Sequence, residues 1–345
     1  MYALHYTEHG PTSTIKYGLL PVPVPNDDQL LVKVSHAALN PCDFKFRRML
    51  TLPFLSNWLM PKPKILASDF AGVVSGKAAD GSHARSRLQV GDRVAGLLPL
   101  VGSRWGSASL FVSVRSSTLA RIPDNVSDAA AASLPLVSLT VVQALAKVRF
   151  PLAGKKILIQ AGSGGIGTFA VQYCKHVLGM YVAATTSSRN LDYVKSLGAD
   201  FVVDYEKVRF EDVVKDYDVV LDALSYMHEY RTLTSGVLHS GGHYLNVLSS
   251  DWSLSSGGTE NSTGPLSLVR LLGCKALHYL NREPKAPDYD IVTVVPNGEQ
   301  LQRVLEWVGE GKIKAVVEVY PVDEGRAAYE LLEKGRVVGK VVLKI

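Results

Sequence analysis

A glycine-rich turn is the feature of this sequence that most directly predicts a chemistry. Gly162, Gly164 and Gly167 have the spacing G-x-G-x-x-G, between an apolar strand (155–160) and an amphipathic segment (166–178). The first glycine permits a tight turn, the second lets the backbone approach a pyrophosphate, and the third lets helix and strand pack closely. Because the strand and the helix that the motif requires are both present, we predict a dinucleotide site rather than a merely structural turn. Its residues are Gly162, Ser163, Gly164, Gly165, Ile166 and Gly167.

The segment after the next apolar strand predicts which dinucleotide binds. A site for NAD places Asp or Glu about 20 residues beyond the first glycine. This chain has Thr-Thr-Ser-Ser-Arg at 185–189 instead. Hydroxyl groups and a guanidinium can receive a ribose 2′-phosphate that a carboxylate would repel. We therefore predict NADPH as the cofactor, with Ser187 and Arg189 at its 2′-phosphate; for Arg189 the alternative is an exposed side chain at a helix start.

The elements that position these residues fall into two classes. Residues 1–122 contain short β-branched strands bounded by glycine and proline, such as 29–39 and 69–76, which predicts an antiparallel, barrel-like region. From about residue 124, apolar strands alternate with helical segments, which predicts a doubly wound parallel sheet.

The pattern of predicted strands and helices changes again in the last fifty residues. A helix over 299–309 is indicated by apolar residues at a helical spacing. A strand (314–320), a helix (323–335) and a strand (339–345) follow. These elements lack the rhythm of a parallel sheet, so we expect them to return to the first domain.

Composition limits the classes of function. A chain of 345 residues is long enough for about two domains, and 47% hydrophobic with 20% charged residues is typical of a globular protein. The net charge of +5 is small and scattered, so DNA binding is not expected. Three isolated cysteines exclude a four-cysteine metal site and argue against a disulfide framework.

Two further segments bear on location. The first ten residues lack the apolar core of a signal peptide and the arginine-rich character of a transit peptide, so the cytoplasm is expected. The uncharged stretch 129–146 contains Pro135 and several polar residues, which favours two buried helices over a membrane span.

Many short motifs occur in one order along nearly the whole chain. They are Asn-Pro-Cys-Asp (40–43), Ser-Asp-Phe-Ala-Gly (68–72), Gly-Asp-Arg-Val (91–94), LVSLTVVQAL (136–145), the turn AGSGGIG (161–167), LGAD (197–200) with Asp204-Tyr205, VVLDAL (219–224), GKIK (311–314) and GKVV (339–342). Together they resemble the zinc-free quinone oxidoreductase (zeta-crystallin-like) branch of the medium-chain dehydrogenase/reductase superfamily.

The resemblance implies a fold, a cofactor site and a reaction. It implies an α/β fold class, with a GroES-like β-barrel catalytic domain over 1–123 and 297–345 and an NADP-binding Rossmann domain over 124–296. It also implies that Tyr205 helps to hold the 2′-phosphate and that Thr140 and Lys340 lie near the cofactor. The reaction it implies is hydride transfer from NADPH to a small, apolar quinone or enone, and we expect a homodimer.

Asn40 and Asp43 are the predicted catalytic residues, and two interpretations stay open for them. Locally, Asn40 is a suitable N-cap, Pro41 a suitable first helical residue, and Asp43 favourable to the helix dipole. The resemblance instead implies that this turn faces the nicotinamide, where Asn40 orients a carbonyl oxygen. The two interpretations are compatible.

The sequence departs from the zinc-dependent relatives and from the usual active-site loop. Where those relatives carry Gly-His-Glu, this chain has Ala67-Ser68-Asp69, and Cys42 has no histidine partner nearby, so no metal site is expected. The apolar run 50–60 is a substrate wall, a subunit contact, a lipid-facing patch or a plain buried loop. A protein of this fold that binds NADPH without turnover, in a crystallin-like, nucleic-acid-binding or membrane-associated role, is the alternative function.

Overall fold

The computed structural model describes residues 1–26, 28–48, 61–77, 87–224, 232–233, 235–247 and 287–345. The run 50–60 lies outside these residues. The described chain divides into two compact units. The first comprises Met1–Leu139, Val295–Gly311 and Ala315–Ile345, and the second comprises Thr140–Val294 and Lys312–Lys314.

The helices and strands follow one another along the chain with these bounds. The first half contains β1 (Tyr2–Tyr6), β2 (Lys16–Leu19), β3 (Gln29–Ala38), α1 (Pro41–Arg48), β4 (Lys64–Ile65), β5 (Asp69–Lys77), β6 (Arg93–Leu97), β7 (Phe111–Arg115), β8 (Leu119–Arg121), α2 (Asp128–Ser133) and α3 (Pro135–Leu145). The second half contains β9 (Lys156–Ile159), α4 (Gly165–Gln172), β10 (Tyr181–Thr186), α5 (Leu191–Ser196), β11 (Phe201–Asp204), α6 (Phe210–Val213), β12 (Tyr217–Asp222), β13 (Leu238–Val247), β14 (Asp288–Val292), α7 (Gly298–Gly309), β15 (Val317–Pro321), α8 (Gly325–Glu333) and β16 (Lys340–Lys344).

The first unit is built on β3, which pairs antiparallel with β5, β7 and β16. The larger sheet has the order β15-β16-β3-β5-β6-β8, with β7 beside β3, and a smaller sheet has the order β2-β1-β4. Leu30, Val32 and Val34 alternate along β3 and are buried in one apolar cluster with Phe70 and Val74 of β5. This period-2 pattern is the reason the segment forms a strand rather than a helix.

The boundary of the first unit falls after Leu139, whereas 123 was the expected end. Helix α2 belongs with the first unit because Asp128 forms an ion pair with Arg93 at 2.6 Å. The same carboxylate accepts a hydrogen bond from Ser35 Oγ at 2.7 Å. These polar contacts fasten α2 to strands β3 and β6.

The C-terminal elements belong to the first unit, but one expectation about them is wrong. Strands β15 and β16 pair in parallel, from Val317 opposite Lys340 to Pro321 opposite Lys344. Helix α8 lies between the two strands in sequence and supplies the long connection that a parallel pair needs. Strand β15 also begins at Val317, three residues after the predicted start at 314.

The second unit is a six-stranded sheet in the order β11-β10-β9-β12-β13-β14. Every neighbouring pair is parallel. The strand order reverses between β9 and β12, and the carboxyl ends of strands at such a point are where open α/β sheets bind ligands. The α/β class with a mainly antiparallel unit and a doubly wound parallel unit is thus confirmed.

Two helical predictions are refined by the structure. The segment 166–178 is not one α-helix: α4 ends at Gln172, and a π-helical turn spans Tyr173–Val177. The stretch 129–146 contains most of α2 and all of α3, which begins at Pro135. Among the described residues, no helix is long and apolar enough to cross a membrane.

Candidate active site

The glycine turn lies at the carboxyl end of β9, where the sequence predicts it. Ala161 adopts a left-handed conformation with φ of 57°, and α4 begins at Gly165 with Gly164 as its N-cap. The turn is fastened to the end of β10, because Gly162 N–H donates to Thr185 O at 2.8 Å. The loop therefore has a fixed path between the two strands.

The three motif glycines meet different surroundings. A Cβ on Gly167 would lie 2.1 Å from Ala161 O, and one on Gly162 would lie 2.8 Å from Ala184 Cβ. A Cβ on Gly164 would meet nothing closer than Ala161 O at 3.4 Å. Gly162 and Gly167 are therefore required by internal packing, whereas the space beside Gly164 is open.

This open backbone face fits a pyrophosphate. Helix α4 has no acidic residue in its first turn and no side-chain cap, so no carboxylate of the helix itself competes for its amino-terminal N–H groups. The buried Gln160 Nε2, just before the turn, has no hydrogen-bond partner among the described residues. An anion bound at Gly164 would face the positive end of the helix dipole.

The predicted 2′-phosphate residues lie beside this turn. Ser163 Oγ accepts hydrogen bonds from Thr186 Oγ1 at 3.1 Å and from Asn190 Nδ2 at 3.2 Å, which links the turn to the segment that contains Ser187 and Arg189. Ser187 is buried, and Arg189 lies in a short 3-10 turn, Ser188–Asn190. These residues follow β10 as expected.

The segment 185–189 itself contains no carboxylate, but two acids from the end of β11 and just beyond it contact this segment. Ser188 Oγ donates to Asp204 Oδ2 at 2.6 Å, and Ser188 N–H donates to Glu206 at 3.1 Å. Lys207 pairs with Asp204 at 3.3 Å and offsets part of the negative charge. Tyr205, which is predicted to help hold the 2′-phosphate, lies between the two acids in sequence and is exposed.

A second cluster of predicted residues lies in the first unit, at the neighbouring ends of β16, β3 and β5. Ala38 is opposite Val342 on one side and opposite Asp69 on the other. This pairing brings together Lys340 at the start of β16, Asn40 just beyond β3, and Asp69 at the start of β5. All three side chains are buried.

The hydrogen bonds of this cluster use nearly every polar atom in it. Lys340 Nζ donates to Leu39 O at 2.9 Å, to Asn40 Oδ1, and to Asp69 Oδ2 at 3.2 Å. Asn40 Nδ2 donates to Asp69 Oδ2 at 2.9 Å and, more weakly, to Ala38 O at 3.4 Å. The other Asp69 oxygen accepts from Leu136 N–H at 2.7 Å.

This geometry bears on the local interpretation of Asn40. Asn40 directly precedes α1, as an N-cap residue does, but its side chain is bonded to Lys340 and Asp69 and not to the backbone of α1. Asp43 instead accepts a hydrogen bond from the backbone N–H of Asn40 at 2.8 Å. Pro41 is the first residue of α1, as expected.

Asp43 is a buried carboxyl group with an unusual pKa. Tyr329 Oη donates to its Oδ2 at 3.2 Å. Burial raises the pKa of Asp43 to about 7, against the opposing effects of the Asn40 N–H and the Lys340 ammonium. Burial likewise raises the pKa of Tyr329 far above its usual value. Asp43 therefore titrates near neutrality.

A recess in the first unit opens beside Asp43. We call it the Lys64 recess; it has room for about one water molecule and is lined by Tyr6, Asp43, Phe46, Lys64, the segment 65–68 and Leu100. Sequence reasoning did not select Lys64, since a lone lysine on a short strand carries no motif. The signal that reveals it is its burial.

The remaining predicted residues are placed as follows. Thr140 is buried within α3. Burial raises the pKa of the Cys42 thiol well above its usual value, which does not favour a thiolate ligand. Within the described ranges, no three His, Cys, Asp or Glu side chains cluster as metal ligands would.

Comparisons with known proteins agree with this architecture. Residues 26–124 match the alcohol dehydrogenase GroES-like domain, and residues 197–343 match a family described as zinc-binding dehydrogenase. A 2-methylene-furan-3-one reductase of Solanum lycopersicum is 34% identical, covering 99% of this chain and 79% of its own. A chloroplastic NADPH-dependent alkenal/one oxidoreductase of Arabidopsis thaliana is 32% identical over the same shares.

Solved structures give the same result for the fold. The quinone oxidoreductase of Coxiella burnetii is 26% identical and superposes with a TM-score of 0.81, covering 100% of this chain and 99% of its own. The resemblance noted in the sequence motifs therefore holds across both units. The chain belongs to the quinone oxidoreductase-like branch of the medium-chain dehydrogenase/reductase superfamily.

Proposed function

We propose that this protein is an NADPH-dependent reductase that delivers hydride to an α,β-unsaturated carbonyl compound or a quinone. The observation that carries the proposal is the 34% identity to a 2-methylene-furan-3-one reductase over 99% of this chain. The relative named as an NADPH-dependent alkenal/one oxidoreductase supports the same acceptor class and cofactor. Both names describe reductions of conjugated carbonyl compounds.

NADPH would supply the hydride, and residues of the second unit would hold it. The open backbone at Gly164 and the amino-terminal N–H groups of α4 are suited to the pyrophosphate. Ser187, Arg189 and Tyr205 are the groups proposed for the 2′-phosphate, with Thr140 and Lys340 as further cofactor contacts. Lys207 lowers the repulsion from Asp204 at this end.

The acceptor must supply its own electrophilicity when the protein offers no Lewis acid. Quinones and enones do so, because hydride addition produces a delocalised anion that a few hydrogen-bond donors can stabilise. The Asn40 amide is mostly committed to Asp69 and Lys340. To align an acceptor carbonyl it would release its long bond to Ala38 O, which is the weakest in the network.

A panel of acceptors tests the proposal. Purified protein is incubated with NADPH and each of a series of enones and quinones. In a parallel assay it is incubated with NADP and simple secondary alcohols. Cofactor absorbance is followed over many turnovers in both assays. We expect turnover with enones or quinones and none with plain alcohols. Tight NADPH binding without turnover on any acceptor would instead favour the non-catalytic role.

Quaternary structure and location are part of the proposal. We propose a homodimer, acting on small apolar substrates in the cytoplasm. Light scattering during size-exclusion chromatography tests the subunit number. Since several relatives are named as chloroplastic, imaging of the tagged protein in its own cells is the appropriate test of location.

A further inference from the structure

Glu206 is an exposed acid that occupies a hydrogen-bond donor in the segment proposed for the 2′-phosphate. Its Oε2 accepts a hydrogen bond from the Ser188 backbone N–H at 3.1 Å. Ser188 lies between Ser187 and Arg189, two of the residues proposed to hold that phosphate. A carboxylate of the protein itself therefore already takes a backbone donor that a phosphate oxygen could use.

Hydrogen bonds hold the segment around Ser188 against the glycine turn. Thr186 Oγ1 and Asn190 Nδ2, which lie on either side of it in sequence, both donate to Ser163 Oγ, at 3.1 and 3.2 Å. In dinucleotide sites of this kind, the residue that recognises the adenosine ribose lies about 20 residues beyond the first glycine, at the end of the second strand. The carboxylate on the Ser188 N–H thus lies at the ribose end of the proposed cofactor site.

The neighbouring acid, Asp204, is held more firmly. Its Oδ2 accepts from Ser188 Oγ at 2.6 Å and pairs with Lys207 at 3.3 Å, and its Oδ1 accepts from the Glu206 N–H at 3.1 Å. The hydrogen bond from Ser188 holds the pKa of Asp204 below its usual value, so this acid is a fixed negative charge. Glu206, in contrast, is exposed, and a single exposed hydrogen bond contributes little net free energy. Its side chain can therefore turn away when another anion competes for the Ser188 N–H.

We propose that Glu206 is a specificity-determining residue that limits the preference of this site for NADPH over NADH. This inference rests on the proposed NADPH-dependent function. To bind, the 2′-phosphate must displace the carboxylate from the Ser188 N–H and then remain beside a like charge, which weakens NADPH binding. NADH has a hydroxyl group at this position, so it binds with Glu206 in place. The wild type should still prefer NADPH, but by less than Arg189 alone would give.

A purely structural Glu206 would give a different result. If the carboxylate served only to satisfy the Ser188 N–H, loss of its charge would lower the melting temperature and change the binding of NADPH and NADH by the same factor. A residue that limits specificity acts on the 2′-phosphate alone. The ratio of the two affinities therefore distinguishes the proposed role from a structural one.

The first test compares the binding of the two cofactors by fluorescence titration. Glu206→Gln keeps an oxygen acceptor for the Ser188 N–H and removes only the charge, so it should bind NADPH about tenfold more tightly than the wild type, with NADH affinity unchanged. Asp216→Asn is the matched control, because it removes an exposed acid just before β12, at the opposite edge of the parallel sheet from the end of β10. It should leave both affinities unchanged. An unchanged NADPH affinity in Glu206→Gln, or an equal gain for NADH, would overturn the inference.

The second test isolates the 2′-phosphate from the nicotinamide and from turnover. Adenosine 2′,5′-bisphosphate and adenosine 5′-monophosphate are titrated by calorimetry into the wild type and Glu206→Gln. The variant should gain about tenfold in affinity for the bisphosphate and nothing for the monophosphate. An equal gain for both nucleotides, or no gain, would overturn the role of Glu206 while leaving the reductase function in place. No binding of either nucleotide by either protein would overturn that role together with the proposed cofactor. A selective gain in a protein that reduces no acceptor would refute the proposed reductase function alone.

Discussion

The Lys340 ammonium lies 3.2 Å from the Asp69 carboxylate, and the two side chains are 6% and 0% exposed. Neither charge has access to bulk water, so each depends on the other and on the surrounding donors. Asp69 occupies the place where zinc-dependent relatives carry the last residue of Gly-His-Glu. Here its carboxylate is neutralised by Lys340, and it holds Asn40 in a fixed orientation.

Removal of one partner of this pair should be costly. We predict that Lys340→Met lowers the free energy of unfolding by about 3–5 kcal/mol, because an uncompensated charge is left on buried Asp69. Urea unfolding followed by circular dichroism measures the change. Lys344→Met, at the exposed end of the same strand, is the control and should cost less than about 0.5 kcal/mol. Equal losses in both variants would contradict the assignment.

Asp43 should impose a pH dependence on stability. Its folded-state pKa of about 7 lies above the unfolded value of about 3.9, so the folded state retains a proton that the unfolded state has lost. The free energy of unfolding therefore falls as pH rises from about 4 to about 7, by up to about 1.4 kcal/mol per unit of pKa difference.

Asp43→Asn removes this titration while it keeps an oxygen acceptor for the Asn40 N–H. Relative to wild type, the variant should gain stability as pH rises across that range. Urea unfolding of both proteins at several pH values measures the difference. A difference that does not change with pH would show that Asp43 titrates normally.

Alanine substitutions at Gly164 and Gly167 should distinguish the role of the turn in packing from its role in cofactor binding. Gly167→Ala places a Cβ 2.1 Å from Ala161 O and should reduce stability as well as NADPH affinity. Gly164→Ala meets nothing within 3.4 Å and should leave the melting temperature nearly unchanged, while its methyl group obstructs the pyrophosphate. Thermal melting and fluorescence titration with NADPH distinguish the two effects. Full NADPH affinity in Gly164→Ala would place the pyrophosphate elsewhere.

Arg189 should determine the preference for NADPH over NADH. Arg189→Ala removes a charged hydrogen bond worth about 1.5–3 kcal/mol, so NADPH should bind about tenfold to a hundredfold more weakly. NADH binding should hardly change. Arg209→Ala, whose guanidinium pairs with Glu211, is the control in the same unit. A wild type with equal affinity for both cofactors would refute the 2′-phosphate assignment.

The residues that stand in place of the zinc ligands also predict the metal content of the protein. Both oxygens of Asp69 are occupied by protein donors, and Ser68 stands where the zinc-dependent relatives carry histidine. Purified protein should contain no stoichiometric zinc and should keep its activity in chelator. Elemental analysis that finds about one zinc ion per chain would reverse this conclusion.

The fold could be predicted from the sequence where the pattern that determines it lies within a few neighbouring residues. The alternation in β3 and the strand–glycine–helix order around Gly164 predict their structures directly. The parallel pairing of β15 with β16 was missed, because periodicity identifies a strand without its partner's direction. The observed end of a strand also differs from its predicted end by a few residues, as at the start of β15.

The site shows the same limit at the level of single side chains. Glu206 follows β11, and the parallel pairing of Thr186 with Asp204 is what brings it to Ser188. Lys64 reaches its recess because β4 pairs with β1. No local motif marks either residue, since its role depends on a neighbour far away in sequence.

The cluster around Asp69 also constrains when the protein can fold during synthesis. Asp69 leaves the ribosome 271 residues before Lys340, which carries the charge that neutralises it. The entire second unit is translated in between, and β16 emerges last of the strands that flank β3. A nascent chain therefore cannot form the Asp69–Lys340 pair until β16 has been synthesised, so the first unit closes only after the second unit has been made.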